Sequence, residues 1–354
     1  MIPRSRAADV AVIGLGAIGL PVSINARTRG FRVQGWNRTP GRAQRAIDAG
    51  VDVVAELASI DASVVLAVLP DMPQIVDTLD RGLQAVMRSG DLLVVMSTVP
   101  PSTMRPLALR LARSNISVID APVSGGDVGA WEGTLSIMVG GTDQDLARCR
   151  PLLDGLSSRI EHLGPLGAGQ LAKACNQIIV GTTLAAIGEA LALSRSAGLD
   201  DVQLLDVLRA GLAGSRAMEV KRPKYLTGDY SPGGTIANQL KDLRAALETA
   251  DELGLRLPVT ALVADIYQRL SDEGRSGLDH SAIVMAIEID QCDAAVPPAD
   301  SPPCEPHLTD PIVDRRQESI DGDSPHAARH AAGPNSKTHW TRRLRRPRGR
   351  GIVE

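Results

Sequence analysis

Residues 164–197 read GPLGAGQLAKACNQIIVGTTLAAIGEALALSRSA, and the rest of the chain is organised around them. From about Ala168 onward apolar residues recur at spacings of three and four: Leu171, Ala174, Ile178, Gly181, Leu184, Ala185, Gly188, Leu191 and Ala192. That period predicts one long helix with a single buried stripe. No proline interrupts it, and Gly164-Pro165 punctuates its start. Thirty residues at the helical rise span about 45 Å, longer than a small domain is wide, so this helix can serve as a beam between two domains. Lys173, Asn176 and Gln177 lie near its N-terminus at spacings that share a face. A cation and two amides on one face of an otherwise apolar helix mark a candidate site.

The segment before the beam alternates strand and helix. Val10–Ile13 is a β-branched run followed by Gly14-Leu15-Gly16-Ala17-Ile18-Gly19. This is the glycine pattern of a dinucleotide site in its required setting, strand before and helix after. The first glycine permits a tight turn, the second lets a pyrophosphate approach the backbone, and the third lets helix and strand pack closely. The helix runs to about Arg29, and a second strand covers Phe31–Trp36. Its end reads Asn37-Arg38-Thr39, without the carboxylate that would hold the ribose hydroxyls of NAD. A guanidinium suits a 2′-phosphate, so NADP is the expected cofactor, with NAD possible. Further on, the pattern predicts a helix over 41–49 and strands over 51–54 and 63–69, the latter delivering Leu69 and Pro70. A helix over 72–87 and a strand over 92–96 follow, the strand ending at Ser97-Thr98. Ligands of open α/β sheets bind at the carboxyl ends of strands, which places Pro70 and Thr98 beside the cofactor. After a strand at 116–119 comes Ser124-Gly125-Gly126, a hydroxyl followed by exposed backbone N–H groups. That is a cradle for a carboxylate or phosphate, although a ligand-free hairpin would also account for glycines there.

Composition bounds the alternatives. The chain has 354 residues, enough for two domains plus extras, and only one Phe, three Trp and three Tyr. An aliphatic core of that kind suits helices packed on a parallel sheet. The formal net charge of −3 is too small to imply a polyanionic partner for the whole molecule. The four cysteines have neither metal-type nor redox-type spacing, so free thiols are expected and no metal site is. No apolar run reads as a membrane span and the N-terminus lacks the apolar region of a signal peptide, so the expected setting is soluble and cytoplasmic. After Gly198 helices are predicted over 201–210, 215–220, 235–253 and 260–273, and Asp279-His280-Ser281 caps a last helix through Ile289. His280 reads as a capping or surface residue rather than a catalyst. From Cys292 the composition breaks: residues 292–354 hold nine of 23 prolines and end in an arginine-rich run. That tail is expected to be disordered and without a fold that would support nucleic-acid binding.

Four ordered segments resemble the β-hydroxyacid dehydrogenase family, which includes 3-hydroxyisobutyrate dehydrogenases and 2-hydroxy-3-oxopropionate reductases. They are GLGAIGLPVSINA (14–26), DAPVSGGDVGAWEGTLSIMVGG (120–141), GPLGAGQLAKACNQ (164–177) and NQLKDLRAALETADELGLRLP (238–258), and the resemblance covers about residues 9–290. It implies a Rossmann-type doubly wound sheet in residues 1–164, an all-α domain in 165–291 beginning with the long interdomain helix, and then the tail. It implies Lys173 as the catalytic lysine with Asn176 beside it, Ser124, Gly125 and Gly126 as the substrate-carboxylate loop, Lys241 near both nicotinamide and substrate, and Thr98 as a cofactor contact. It also implies a small carboxylate substrate, a homodimer or homotetramer, and NADP use for a turn like 37–39. Three positions depart from the family pattern: Ile18 for the usual Met, Gln177 for a frequent Asn, and Gly233-Gly234 where relatives commonly carry a bulkier residue. The last of these implies an altered substrate pocket.

Hydride transfer to a carbonyl builds charge on oxygen, and Lys173 can meet it as an ammonium. The expected function is interconversion of a short 3-hydroxy acid and its semialdehyde or keto form. Two rivals remain open: an imine reductase, which shares the architecture but generally lacks a lysine at this place, and a non-catalytic scaffold that binds nucleic acid through the basic tail.

Overall fold

Strand β1 (Ala8–Ile13) sends Val10 and Val12 to one side and Ala11 and Ile13 to the other, and all four are buried. A strand apolar on both faces must lie between two layers, which is the position parallel strands occupy in α/β folds. Residues 6–39, 41 and 43–294 are described by the computed structural model; the expected disordered tail, apart from its first three residues, lies outside them. In chain order β1 is followed by α1 (Gly19–Thr28), β2 (Val33–Trp36), α2 (Gln44–Asp48), β3 (Asp52–Val53), β4 (Ala62–Ala67), α3 (Met72–Thr78) and α4 (Gln84–Val86). Then come β5 (Leu92–Val95), α5 (Met104–Ala112), β6 (Ser117–Asp120), β7 (Val123–Ser124), α6 (Gly126–Glu132), β8 (Leu135–Gly140), α7 (Asp143–Asp154) and β9 (Ser157–Gly164).

The sheet runs β3-β2-β1-β4-β5-β6-β8-β7, with β9 pairing β8. Pairing is parallel from β3 to β6 and becomes antiparallel where β8 meets β6 and β7. The order 3-2-1-4-5-6 is that of a dinucleotide-binding sheet, whose switch point lies between β1 and β4. One core cluster gathers Val10, Val12, Val94 and Ile119, and a second, through the opposite face, gathers Ala11, Ile13, Val95 and Leu111.

The expected beam is helix α8 (Ala168–Ser196). Helices α9 (Asp201–Ala210), α10 (Arg216–Thr227), α11 (Ile236–Glu252), α12 (Pro258–Leu270) and α13 (Ile283–Ala294) complete the described chain. The second half of α8 packs into a helical core through Leu184, Ile187 and Leu191, with Leu243, Tyr267 and Ile283 around them. Each fully buried leucine there is worth about 2–3 kcal/mol of transfer free energy.

Several details differ from the sequence reading. The helix over 72–87 is broken at Gly82, whose φ of 123° no α-helix accommodates. The helix starting at 215 continues past Val220 to Thr227 despite Pro223. The last helix reaches Ala294, five residues beyond Ile289, and so enters the stretch expected to be disordered. At its N-terminal end the buried stripe of α8 runs through Gln170, Lys173, Ala174 and Gln177; Ala174 is buried as expected, but Leu171, expected on the stripe, is exposed, and the amides Gln170 and Gln177 are buried in its place. By length and composition alone α8 is apolar enough to cross a membrane, contrary to the expectation that no run reaches that length. Its buried stripe nevertheless carries an ammonium and two amides, and half of its most apolar window is covered by neighbouring elements, as in a core helix.

Candidate active site

The glycine turn between β1 and α1 is shaped by contacts that leave no room for side chains. A Cβ at Gly14 would lie 2.3 Å from the Val68 carbonyl oxygen, and one at Gly19 would lie 1.8 Å from that of Gly14. Gly16 is different, because nothing lies within 4 Å of where its Cβ would be. Gly16 and Ala17 are exposed, and α1 has neither a side-chain cap nor an acidic residue in its first turn. Bare N–H groups and an open approach at a helix N-terminus fit a pyrophosphate. Leu15 turns its side chain to the core, so only its backbone is available to a ligand, while the half-buried Ile18 packs against the same core. Asn37 is committed to the fold: its Oδ1 accepts from Leu15 N–H at 3.1 Å and its Nδ2 donates to the Thr39 carbonyl at 2.8 Å. Arg38 and Thr39 are exposed, and Arg38 has no hydrogen bond or ion pair among the described residues.

At the ends of β4 and β5, Leu69 N–H donates to Ser97 Oγ at 2.9 Å. Pro70 is exposed beside it. The Ser97–Val99 segment is gripped by Gln170 of α8, whose Nε2 donates to the Ser97 carbonyl at 2.8 Å and whose Oε1 accepts from Val99 N–H at 3.0 Å. Lys241 of α11 donates to the Thr98 carbonyl at 2.6 Å. A cleft of about 440 Å³ lies here, with Thr98, Pro100, Leu240 and Lys241 on its walls.

Lys173 is buried, and its Nζ donates to Gln177 Oε1 at 3.0 Å. Asn176 Nδ2 donates to the same oxygen at 2.8 Å. The Gln177 amide cannot be reversed, because its Nε2 faces Asp242 Oδ2 at 2.6 Å and a carboxylate only accepts. Asp242 Oδ1 in turn accepts from Lys241 at 2.7 Å. A continuous polar chain therefore runs from Lys173 through Gln177, Asp242 and Lys241 to Thr98. Burial lowers the Lys173 pKa to about 8; Asp242 opposes that shift and Lys241 adds to it. Near neutral pH the side chain is thus a poised proton donor that can also give its proton up.

The Ser124 loop joins the same cluster, since Ser124 Oγ donates to Asn176 Oδ1 at 3.3 Å. Gly125 and Gly126 have φ of 126° and 64°, and nothing would meet a Cβ at Gly126. The loop and the long helix share an anchor in Asp120 at the end of β6, whose two carboxylate oxygens accept from Gly167 N–H at 2.6 Å and Gln170 N–H at 2.7 Å. Burial raises the Asp120 pKa to about 6 against the pull of those amides.

All the residues singled out along the sequence thus fall at the sheet's C-terminal edge or on the facing helices. Asp242, Gln239, Gln170 and Asp120 were not singled out. Their signal was present: Gln239 and Asp242 stand on the buried stripe of α11, where a polar residue needs a partner. His280 is also not a plain surface residue. It is half-buried, and its Nδ1 lies 3.1 Å from Gln239 Oε1. The capping role falls to Asp279, whose carboxylate accepts from Ser281 N–H.

Comparison with known proteins agrees with this architecture. Residues 9–164 match the model of the NAD-binding domain of 6-phosphogluconate dehydrogenase, and residues 167–287 that of the NAD-binding domain of NADP-dependent 3-hydroxyisobutyrate dehydrogenase. The chain is 36% identical to 2-hydroxy-3-oxopropionate reductase of Escherichia coli K12, over 78% of this chain and 96% of that one. It is 34% identical to 3-hydroxyisobutyrate dehydrogenase of Pseudomonas aeruginosa, over 78% and 97%. The solved structure of Mycobacterium tuberculosis 3-hydroxyisobutyrate dehydrogenase with L-serine superposes with a TM-score of 0.70 at 31% identity, covering 79% of this chain and 99% of that one. Fold and site define an oxidoreductase that uses a nicotinamide dinucleotide and acts on the hydroxyl group of hydroxy acids. The chain belongs to the β-hydroxyacid dehydrogenase family.

Proposed function

We propose that the protein interconverts a short 3-hydroxy acid and its semialdehyde or keto form, preferring NADP over NAD, with Lys173 as general acid and base. Residues 1–164 would hold the cofactor, and 165–291 would complete the substrate site. The observation that carries this reading is the buried ammonium of Lys173, with one proton committed to Gln177 Oε1 and no other hydrogen-bond partner among the described residues, which would leave its other protons for a substrate oxygen. The cofactor, when bound, supplies or takes the hydride. Lys173 then neutralises the charge that builds on the carbonyl oxygen and gives it a proton; in the reverse direction it receives the hydroxyl proton. Asn176 orients the oxygen, while Ser124 and the Gly125 and Gly126 amides hold the carboxylate, so that the carbonyl meets Lys173 in one orientation. Lys241 fixes the Thr98 loop and adds positive potential beside the carboxylate. The direct test is NADPH and NADH oxidation against a panel of semialdehydes, glyoxylate and imines. Turnover of the imines alone would refute the reading.

The NADP preference rests on the exposed guanidinium of Arg38, which has no partner among the described residues, and on the absence of a carboxylate in the Asn37-Arg38-Thr39 turn after β2. Arg38→Asp is expected to shift the NADPH-to-NADH ratio of kcat/KM at least tenfold toward NADH, from the lost charge-assisted hydrogen bonds. An unchanged ratio removes Arg38 from cofactor recognition.

The pH dependence follows from Lys173. With its pKa at about 8, kcat/KM for reduction is expected to be level below that pH and to fall above it as the ammonium is lost. Oxidation, which needs the neutral amine, is expected to rise through the same range. Initial-rate profiles from about pH 6 to 10 in both directions check this, and parallel profiles would exclude Lys173 as the proton carrier.

The free thiols Cys149 and Cys175 support the cytoplasmic setting that we also propose. Exposed Ile179 and Leu193 on α8 support self-association into a dimer or tetramer.

A further inference from the structure

Gln170 is where three segments needed by the proposed reaction meet. It is buried on the first turn of α8, and Lys173 follows it by three residues on the same buried stripe. Its side-chain amide brackets Thr98: Nε2 donates to the Ser97 carbonyl at 2.8 Å, and Oε1 accepts from Val99 N–H at 3.0 Å. Ser97 carries that grip to the next loop, since its Oγ accepts from Leu69 N–H at 2.9 Å. The backbone N–H of Gln170 is held at 2.7 Å by Asp120, four residues before Ser124. One residue thus joins the loops at Leu69 and Thr98, the strand that leads into the Ser124 loop, and the helix of the proton donor.

The joint has no slack. A Cβ at adjacent Gly169 would lie 2.3 Å from the Met138 carbonyl oxygen and 2.7 Å from Asp120 Oδ2, so α8 starts in direct contact with β6 and β8. Asp120 also accepts from Gly167 N–H at 2.6 Å. The Gln170 amide can be placed only one way round, because the Ser97 carbonyl only accepts and Val99 N–H only donates. No other residue among those described pairs with that carbonyl or that N–H. Removing the side chain would leave both groups buried and unpaired, and the Thr98 segment would lose its hold on α8.

We propose that Gln170 is a positioning residue that sets the distance between a nicotinamide held at Thr98 and a substrate carbonyl held by Lys173 and the Ser124 loop. It acts through backbone groups and does not touch the reacting atoms. This deepens the proposed function and rests on it. Hydride transfer is steep in donor–acceptor distance, so a displacement of about 1 Å in one loop can cost about 100-fold in rate without a comparable loss of binding.

Gln170→Glu tests this with the least change of shape. A protonated glutamic acid reproduces both bonds, its O–H donating to Ser97 and its C=O accepting from Val99 N–H, whereas an ionised one turns an oxygen against the Ser97 carbonyl. The charged groups bonded to its neighbours are Asp120 on β6 and Lys241 on α11, with Lys173 one turn along α8. Burial and Asp120 raise the pKa of such an acid, and the two lysines oppose them. The variant is therefore expected to work at low pH and to fail as the pH rises.

Initial rates of the full-length protein are measured from about pH 6 to 9 with NADPH and with NADPH deuterated at the transferred position. The substrate is whichever of 2-hydroxy-3-oxopropionate and 3-oxopropionate the wild type reduces faster. Each rate is divided by that of the wild type at the same pH, which removes the titrations of Lys173 and Asp120 common to both. Gln170→Glu is expected within about threefold of wild-type kcat at the acid end and about 30-fold or more below it at the alkaline end, with the NADPH Kd changed less than about fivefold throughout. At the alkaline end its deuterium isotope effect on kcat should equal or exceed the wild-type value, because hydride transfer has become the slow step. Gln170→Met, which makes neither bond, should be slow at every pH and keep the inflection near pH 8, since Gln177 still holds Lys173. A Gln170→Glu ratio that is flat in pH overturns the proposal, because a role in packing alone is indifferent to that proton. An isotope effect below the wild-type value overturns it by placing the slowed step outside hydride transfer. NADPH binding lost in step with activity also overturns it, by assigning Gln170 to the fold alone. Each of these leaves the proposed function standing so long as the wild type reduces one of the aldehydes; a wild type that reduces neither overturns both.

Discussion

Lys173→Met is expected to lower kcat/KM for carbonyl reduction by about 10³-fold, while NADPH affinity changes by less than about threefold. The size follows from the usual contribution of a positioned proton donor combined with loss of a cation beside a developing oxyanion, about 4 kcal/mol together. Methionine keeps the length and most of the volume of the buried stem, so packing against Ala174 and its neighbours should survive. Gln177 Oε1 keeps Asn176 as a donor at 2.8 Å, and Asp242 keeps both of its partners, so the polar chain is shortened rather than broken. The variant should also lose the inflection near pH 8 that is assigned to this amine. Steady-state rates with a semialdehyde and fluorescence titration of NADPH read the two quantities separately. A loss of less than tenfold would move the proton-transfer role elsewhere in the cluster.

Gly19→Ala carries the other large effect, on the opposite lobe and by a different mechanism. The new methyl would be placed 1.8 Å from the Gly14 carbonyl oxygen, far inside van der Waals contact, and both partners are backbone. No rotamer relieves such a clash. Either α1 backs away from β1 or the turn at 14–19 reopens, and both moves displace the N–H groups offered to the pyrophosphate. NADPH binding is expected to weaken at least 100-fold, with about 1–3 kcal/mol of stability lost to overpacking. Gly16→Ala is the control, because its Cβ meets nothing in the protein. It should fold like the wild type and weaken cofactor binding alone. Near-normal binding by Gly19→Ala would mean that the turn relaxes without moving those amides.

The two substitutions also show where the sequence was legible. Gly19 could be read because its reason is local: between a β-branched strand and a helix, a glycine at that spacing is what close packing of the two elements requires. Lys173 could be read because a cation on an apolar helical face needs a purpose. The face itself was misread at the N-terminal end of α8, where periodicity pointed to Leu171 and Ile178 rather than Gln170 and Gln177. Hydrophobic period assumes that burial follows polarity, and it fails where polar side chains are buried against partners from other elements. Gln170 is buried because Ser97 and Val99 offer it backbone groups, and Gln177 because Asp242 does. The helix end misread at Pro223 has the same origin, since neighbours outvoted local propensity; the break at Gly82 is instead local, a glycine at a φ of 123°.

By itself, then, the amino-acid order determined the doubly wound sheet, the dinucleotide turn, the long helix and the place of a lysine near its N-terminus, because each rests on contacts between residues close in the chain or on periodicity along one element. Tertiary structure alone decided how that amine is held and how basic it is. The partners that orient Gln177, the burial that brings Lys173 to about 8, and the contact of His280 with Gln239 join residues tens of positions apart. A hydrogen bond across such a distance leaves no period in the sequence; it exists only once the sheet and the helices have closed on one another.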